Sequence, residues 1–147
     1  MTSNPTYVHY GHEFFDKNIF SDIENSRYLS KPNGGLWASN TCAKYSWKHW
    51  CLENNFVSCT EENKFCFTLS DDARVLYIND VKDLETLSKI DSDLRFVSWV
   101  LLDFENLMEF YDAIEVNISA DPELYFKLYG WDCDSILIMN PNVIILE

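Results

Sequence analysis

The chain has 147 residues, a length that fits one domain spanning 1–147. Hydrophobic residues make up 47%, enough for a sizeable core, and aromatics 16% (five Trp, eight Tyr, ten Phe), more ring surface than such a core needs, so some rings are free to line a pocket. With 24 acidic against 11 basic residues the net charge is −13, which repels phosphate backbones; Lys44 and Lys48 are the nearest thing to a basic patch, so nucleic acid is not an expected partner.

The cysteines are Cys42, Cys51, Cys59, Cys66 and Cys133, an odd number with no C-x-x-C pair. Buried free thiols in a reducing compartment are expected, not disulfides or a zinc knuckle. Met1 to Thr6 is polar with no apolar h-region, and no apolar run approaches membrane-spanning length, so a cytoplasmic protein without a membrane partner is expected.

In chain order, Tyr7 to Tyr10 reads as a short strand. Ser30-Lys31-Pro32-Asn33-Gly34-Gly35 is a turn, and Leu36 to Ser39 is a second strand directly after it. Thr41 can cap a helix through about Glu53, on which Ala43, Trp47, Trp50 and Cys51 share a core face while Tyr45 and His49 share another. Phe65 to Leu69 and Arg74 to Ile78 read as strands joined by a turn at Ser70 to Ala73. Asn79 or Asp80 can cap a short helix carrying Val81, Leu84 and Leu87, and a further helix carries Phe104, Leu107, Met108 and Tyr111. Ala113 to Ile118 is a strand; Asp121-Pro122 starts a helix carrying Leu124, Tyr125 and Leu128; Ser135 to Leu146 is strand-like with a break at Pro141. Strands and helices mix without regular βαβ alternation, which points to the α+β class.

Three segments place polar or aromatic residues where strands usually carry apolar ones: Tyr7 to Gly11, Gly34 to Ser39 and Tyr111 to Asn117. A lone histidine such as His9 is more often a hydrogen-bonded core or surface residue, and with His12 and Glu13 it lacks the H-E-x-x-H spacing of a zinc site, so no metal is expected. Strand alternation sets Ala113, Glu115 and Asn117 opposite Ile114, Val116 and Ile118; a solvated face and a cleft both accommodate Glu115. Trp37 and Tyr45 are core rings by default, although the glycine pair before Trp37 permits the backbone to approach a ligand closely. Tyr129 to Asp134 is either a substrate loop or a turn in which aspartates cap backbone amides.

The order of these segments resembles the ADP-ribosyltransferase superfamily, in its His–Tyr–Glu branch of diphtheria-toxin-like enzymes and poly(ADP-ribose) polymerases. The resemblance covers nearly the whole chain and implies a split β-sheet core with flanking helices and NAD as substrate, without a metal. It implies that His9 holds a ribose hydroxyl, that the backbone at Tyr10 or Gly11 holds the carboxamide, and that Trp37 and Tyr45 wall the nicotinamide ring. Ser39 would support the glutamate or a ribose, and Glu115 would bind the ribose 2′-hydroxyl as the catalytic residue. The sequence departs from the branch in having Tyr10 where glycine is usual and Trp37 where tyrosine is usual. Ala113, two positions before Glu115, replaces the second acid of arginine-specific relatives, so arginine is not the expected acceptor. The function this implies is mono-ADP-ribosylation of a protein acceptor, as a toxin or effector would perform it. NAD hydrolysis needs the same residues, whereas a tRNA 2′-phosphotransferase-like role needs a basic cleft that this sequence lacks. The alternative of another class is a non-catalytic acidic inhibitor, such as a phage-type anti-defence protein, that occupies a partner's basic groove.

Overall fold

The structure is a computed structural model and describes residues 4–55, 62–91 and 99–146. Among the described residues seven strands form a mixed sheet: β1 (Tyr7–Tyr10), β2 (Leu36–Asn40), β3 (Lys64–Leu69), β4 (Val75–Ile78), β5 (Ala113–Val116), β6 (Ser135–Ile138) and β7 (Ile144–Leu146). Their spatial order is β4-β5-β6-β2-β1-β3-β7. Only β4 and β5 run parallel; every other neighbouring pair is antiparallel. Among the described residues three short α-helices accompany the sheet: α1 (Trp47–Glu53), α2 (Phe104–Leu107) and α3 (Pro122–Lys127). The α+β class is therefore observed.

Strand alternation gives each sheet face its own core. Ile78, Ile114, Val116 and Leu137 meet α2 and α3 through Phe104, Leu107, Leu124 and Leu128. Tyr7, Leu36, Phe67, Ala113, Ile136 and Ile138 face the other way, where Phe15, Ile19 and Phe20 pack over them. A six-residue helix has little stability alone. Asp121 caps α3 by accepting from the Glu123 amide, Pro122 sets its first turn, and fully buried Leu124 anchors it. Burying such a leucine contributes about 1.5–3 kcal/mol.

The central seam is short. β1 and β2 share only the pairs Tyr7↔Asn40 and Val8↔Ser39. Beyond Val8, β1 stays with β3 through His9↔Phe65 and Tyr10↔Lys64, while β2 stays with β6 through Trp37↔Leu137 and Ala38↔Ile136. The registered pairing of β1 with β2 thus ends beside His9 and Trp37.

Three expectations change. The helix expected from Thr41 begins only at Trp47, with Ser46 at its N-cap, because the preceding residues form turns: the Cys42 amide bonds Asn40 and the Tyr45 amide bonds Asp134. Of the expected core face only Cys51 is buried, and Trp47 and Trp50 stack on each other, half-buried, at 4.8 Å. β3 and β4, joined by the Ser70–Ala73 turn, lie towards opposite ends of the sheet. Among the cysteines, Cys51 and Cys133 are buried, Cys66 is half-buried and Cys42 is exposed; Cys59 lies outside the described residues. No helix among the described residues is long and apolar enough to cross a membrane.

Candidate functional site

Where β1 and β2 part, a cavity of about 280 Å³ opens. Its aromatic walls are Tyr10, Trp37, Trp47 and Trp131, and its polar groups include His9, Lys31 and Asp132. Trp131 is buried and donates its indole N–H to the Ser30 carbonyl at 2.7 Å. It meets Trp37 edge-on, with ring centres 4.8 Å apart. The Lys31 ammonium sits 4.7 Å from the Trp37 ring centre, a cation–π contact.

The turn that delivers Trp37 depends on Gly34 and Gly35, with φ of 84° and 75°. A Cβ on Gly34 would lie 2.1 Å from the Asp22 carbonyl oxygen, and one on Gly35 would lie 2.5 Å from Leu137. The glycine pair therefore permits a close approach to the protein's own chain, where a ligand was the expectation.

Trp47 is fixed from two directions. Its backbone N–H donates to Ser39 Oγ at 3.1 Å, and that hydroxyl donates to the Asp134 carbonyl at 2.9 Å. Ser39 is fully enclosed, so it ties β2 to α1 and to the approach to β6 without reaching the cavity. At the next turn, Ser46 and His49 close a capping box, with the Ser46 amide donating to His49 Nδ1 at 3.0 Å.

His9 is 8% exposed and engaged on both ring nitrogens. Nδ1 lies 2.7 Å from the Trp37 carbonyl, which can only accept, so Nδ1 carries the proton. Nε2 then accepts from His12 Nδ1 at 2.9 Å. Phe65 and His12 pack against the ring at 4.9 and 5.2 Å. Burial pushes the His9 pKa below its ordinary value, opposed by the Trp37 hydrogen bond, so the ring is neutral at pH 7. His12 is exposed, and a ligand hydroxyl that displaced it would meet a free acceptor on Nε2.

The remaining expected residues are dispersed. Tyr10 lines the cavity, but the amide of exposed Gly11 already donates to the Asn63 carbonyl at 2.9 Å. Tyr45 is off the cavity wall; its hydroxyl bonds Glu53, which raises its pKa to about 12. Glu115 projects from β5 towards the second core and is 6% exposed. Tyr7 donates its hydroxyl to Glu115 Oε1 at 2.5 Å, and the Asn40 side chain also bonds the carboxylate. Burial raises the Glu115 pKa despite these bonds. β6 and β2 stand between β5 and β1, and Glu115 opens onto a different hollow with Asn40, Asn117 and Asp134. The structure thus joins His9, Tyr10 and Trp37 in one cavity and leaves Ser39, Tyr45, Gly11 and Glu115 outside it.

Asp132 is the acid on the cavity wall, and no local pattern distinguishes it from Asp134. The two differ sharply in their surroundings. Asp134 is buried and accepts from the Tyr45 amide, the Ser119 amide and the Ser119 hydroxyl. Asp132 is half-buried, and its carboxylate receives no hydrogen bond from the described residues. Among the described residues no group of three or more His, Cys, Asp or Glu is placed to hold a metal ion.

Compared with known protein families, characterised proteins and solved structures, the chain matches none of them.

Proposed function

We propose that the cavity between β1 and β2 binds the nicotinamide-ribose end of NAD, and that the protein transfers ADP-ribose from NAD to a protein acceptor. The observation that carries this reading is the meeting of His9 and Trp37, 28 residues apart, on one cavity where the sheet parts. Three indole side chains line the cavity that would take a nicotinamide ring, and neutral His9 offers Nε2 to a ribose hydroxyl in place of His12. At about 280 Å³ the space suits a ring and a sugar; the adenosine end would extend beyond it. Lys31, a cavity-lining residue, supplies a positive charge for the diphosphate. The resemblance in segment order supports the same chemistry, in which a water-poor aromatic site orients nicotinamide as the leaving group.

The test is nicotinamide release from NAD by the purified protein, alone and with cell lysate, beside Trp37→Ala. Release that needs lysate and falls at least tenfold in the variant is expected; release in buffer alone identifies an NAD hydrolase on the same site. A second reading, a non-catalytic acidic protein seated in a partner's basic groove, draws on the −13 charge and on the position of Glu115 outside the cavity. It takes over if NAD neither raises the melting temperature nor loses nicotinamide.

A further inference from the structure

We propose that Asp132, and not Glu115, is the carboxylate that acts on the ligand in this cavity, an inference that rests on the NAD reading above. Its backbone is fixed on both sides. Trp131 is pinned by its indole bond to Ser30, Cys133 is buried, and Asp134 is bonded to Tyr45 and Ser119. Between these anchors Asp132 is the charged residue of the four that lines the cavity, and no described residue donates a hydrogen bond to it. A carboxylate on a rigid backbone with unused acceptor positions is preorganised for a group that arrives with the ligand. Glu115 has the opposite character: its carboxylate is occupied by Tyr7 and Asn40 and faces another hollow.

The step needs one negative charge in this place. The bond between ribose C1′ and the nicotinamide nitrogen breaks, and its electron pair leaves with nicotinamide, which becomes neutral. Positive charge gathers on C1′ and the ring oxygen. The acceptor then supplies a pair to C1′, forms the new bond and releases its proton to water. Asp132 accepts a hydrogen bond from a ribose hydroxyl and stabilises the developing cation. The indole walls keep water from screening that interaction.

Nicotinamide release and NAD binding, followed by calorimetry, are measured side by side for the wild-type protein, Asp132→Asn and Glu115→Gln. The expected result is a fall in release of about a hundredfold or more in Asp132→Asn, with NAD affinity within about fivefold and an unchanged melting temperature. Glu115→Gln is expected to keep release within about tenfold of wild type, since an amide still accepts from Tyr7. Release by Asp132→Asn within tenfold of wild type overturns the assignment while leaving the NAD reading intact, as does loss of release confined to a folded, NAD-binding Glu115→Gln. A wild-type protein that neither binds NAD nor releases nicotinamide overturns both.

Discussion

Replacing Asp134 by asparagine isolates the contribution of one buried carboxylate to the cavity's frame. In the wild type its Oδ2 accepts from the Tyr45 amide at 3.1 Å and from the Ser119 hydroxyl at 2.6 Å, and its Oδ1 accepts from the Ser119 amide at 2.8 Å. With the asparagine oxygen kept on the Ser119 amide, an NH₂ group takes the place of Oδ2. The serine hydroxyl can reverse its role and accept. The Tyr45 amide cannot, and is left facing another donor, a loss of about 1.5–3 kcal/mol for a bond to a charged group. The surviving Ser119 bond falls from charge-assisted to neutral, worth about 1 kcal/mol more. The sum is about 3 kcal/mol, and at this chain length it lowers Tm by roughly 6–12 °C. Urea unfolding followed by tryptophan fluorescence reads the change as a lower midpoint with the same m-value. Asp132→Asn, two residues away and without those bonds, should stay within about 0.5 kcal/mol of wild type. A loss below about 1 kcal/mol for Asp134→Asn would refute the reasoning and mean that water replaces the carboxylate.

Two other perturbations have definite signs. Gly11→Ala and Gly34→Ala both place a side chain at positive φ, a strain of about 1–2 kcal/mol, but only Gly34 meets a backbone oxygen. Gly34→Ala should therefore lose at least about 2 kcal/mol more than Gly11→Ala on urea unfolding, and equal losses would contradict the close contact with Asp22. For Glu115 the folded pKa lies above the ordinary value of 4.5, so the native state binds more protons between the two values. Its contribution to stability is fully present below pH 4.5 and is lost as pH rises through the folded value. Glu115→Gln should remove that component, so the variant gains on wild type as pH rises across this window; parallel stability curves across pH would contradict it.

Much of the strand plan was readable because its signals are local. β1, β2, β5 and the break at Pro141 follow from alternation and turn residues, and α3 follows from Asp121 and Pro122 at its start. What local pattern does not carry is the partner. The Ser70–Ala73 turn was legible, but not that it sends β4 to the far edge to pair in parallel with β5. Alternation put Glu115 opposite Ile114 and Val116, yet gave no sign that Tyr7, 108 residues away, would lock its carboxylate. The helix expected from Thr41 lost its first turn because Asn40 and Asp134 bind the Cys42 and Tyr45 amides, and one of those partners lies 89 residues away. His9, Tyr10 and Trp37 are legible only through the segment order that resembles the ADP-ribosyltransferases, since a lone histidine or a single aromatic on a strand is a core residue by default. Asp132 lies in the Tyr129 to Asp134 segment, which the sequence leaves open between a substrate loop and a capped turn, and nothing local separates it from Asp134, whose bonds reach Tyr45 and Ser119.

The position of β2 has a consequence for how the protein is made. Its two neighbours, β1 and β6, come from nearly opposite ends of the sequence, and the Ser39–Asp134 bond closes a separation of 95 residues. Such pairing is slow to nucleate, because the long intervening loop must be closed before any contact stabilises it. On a ribosome, β1 and the aromatic rings of residues 37 and 47 emerge first, and the other wall, Trp131 with Asp132, arrives only with the last part of the described chain. The nascent chain therefore has no cavity, and whatever that cavity does begins only after synthesis has passed Ile138.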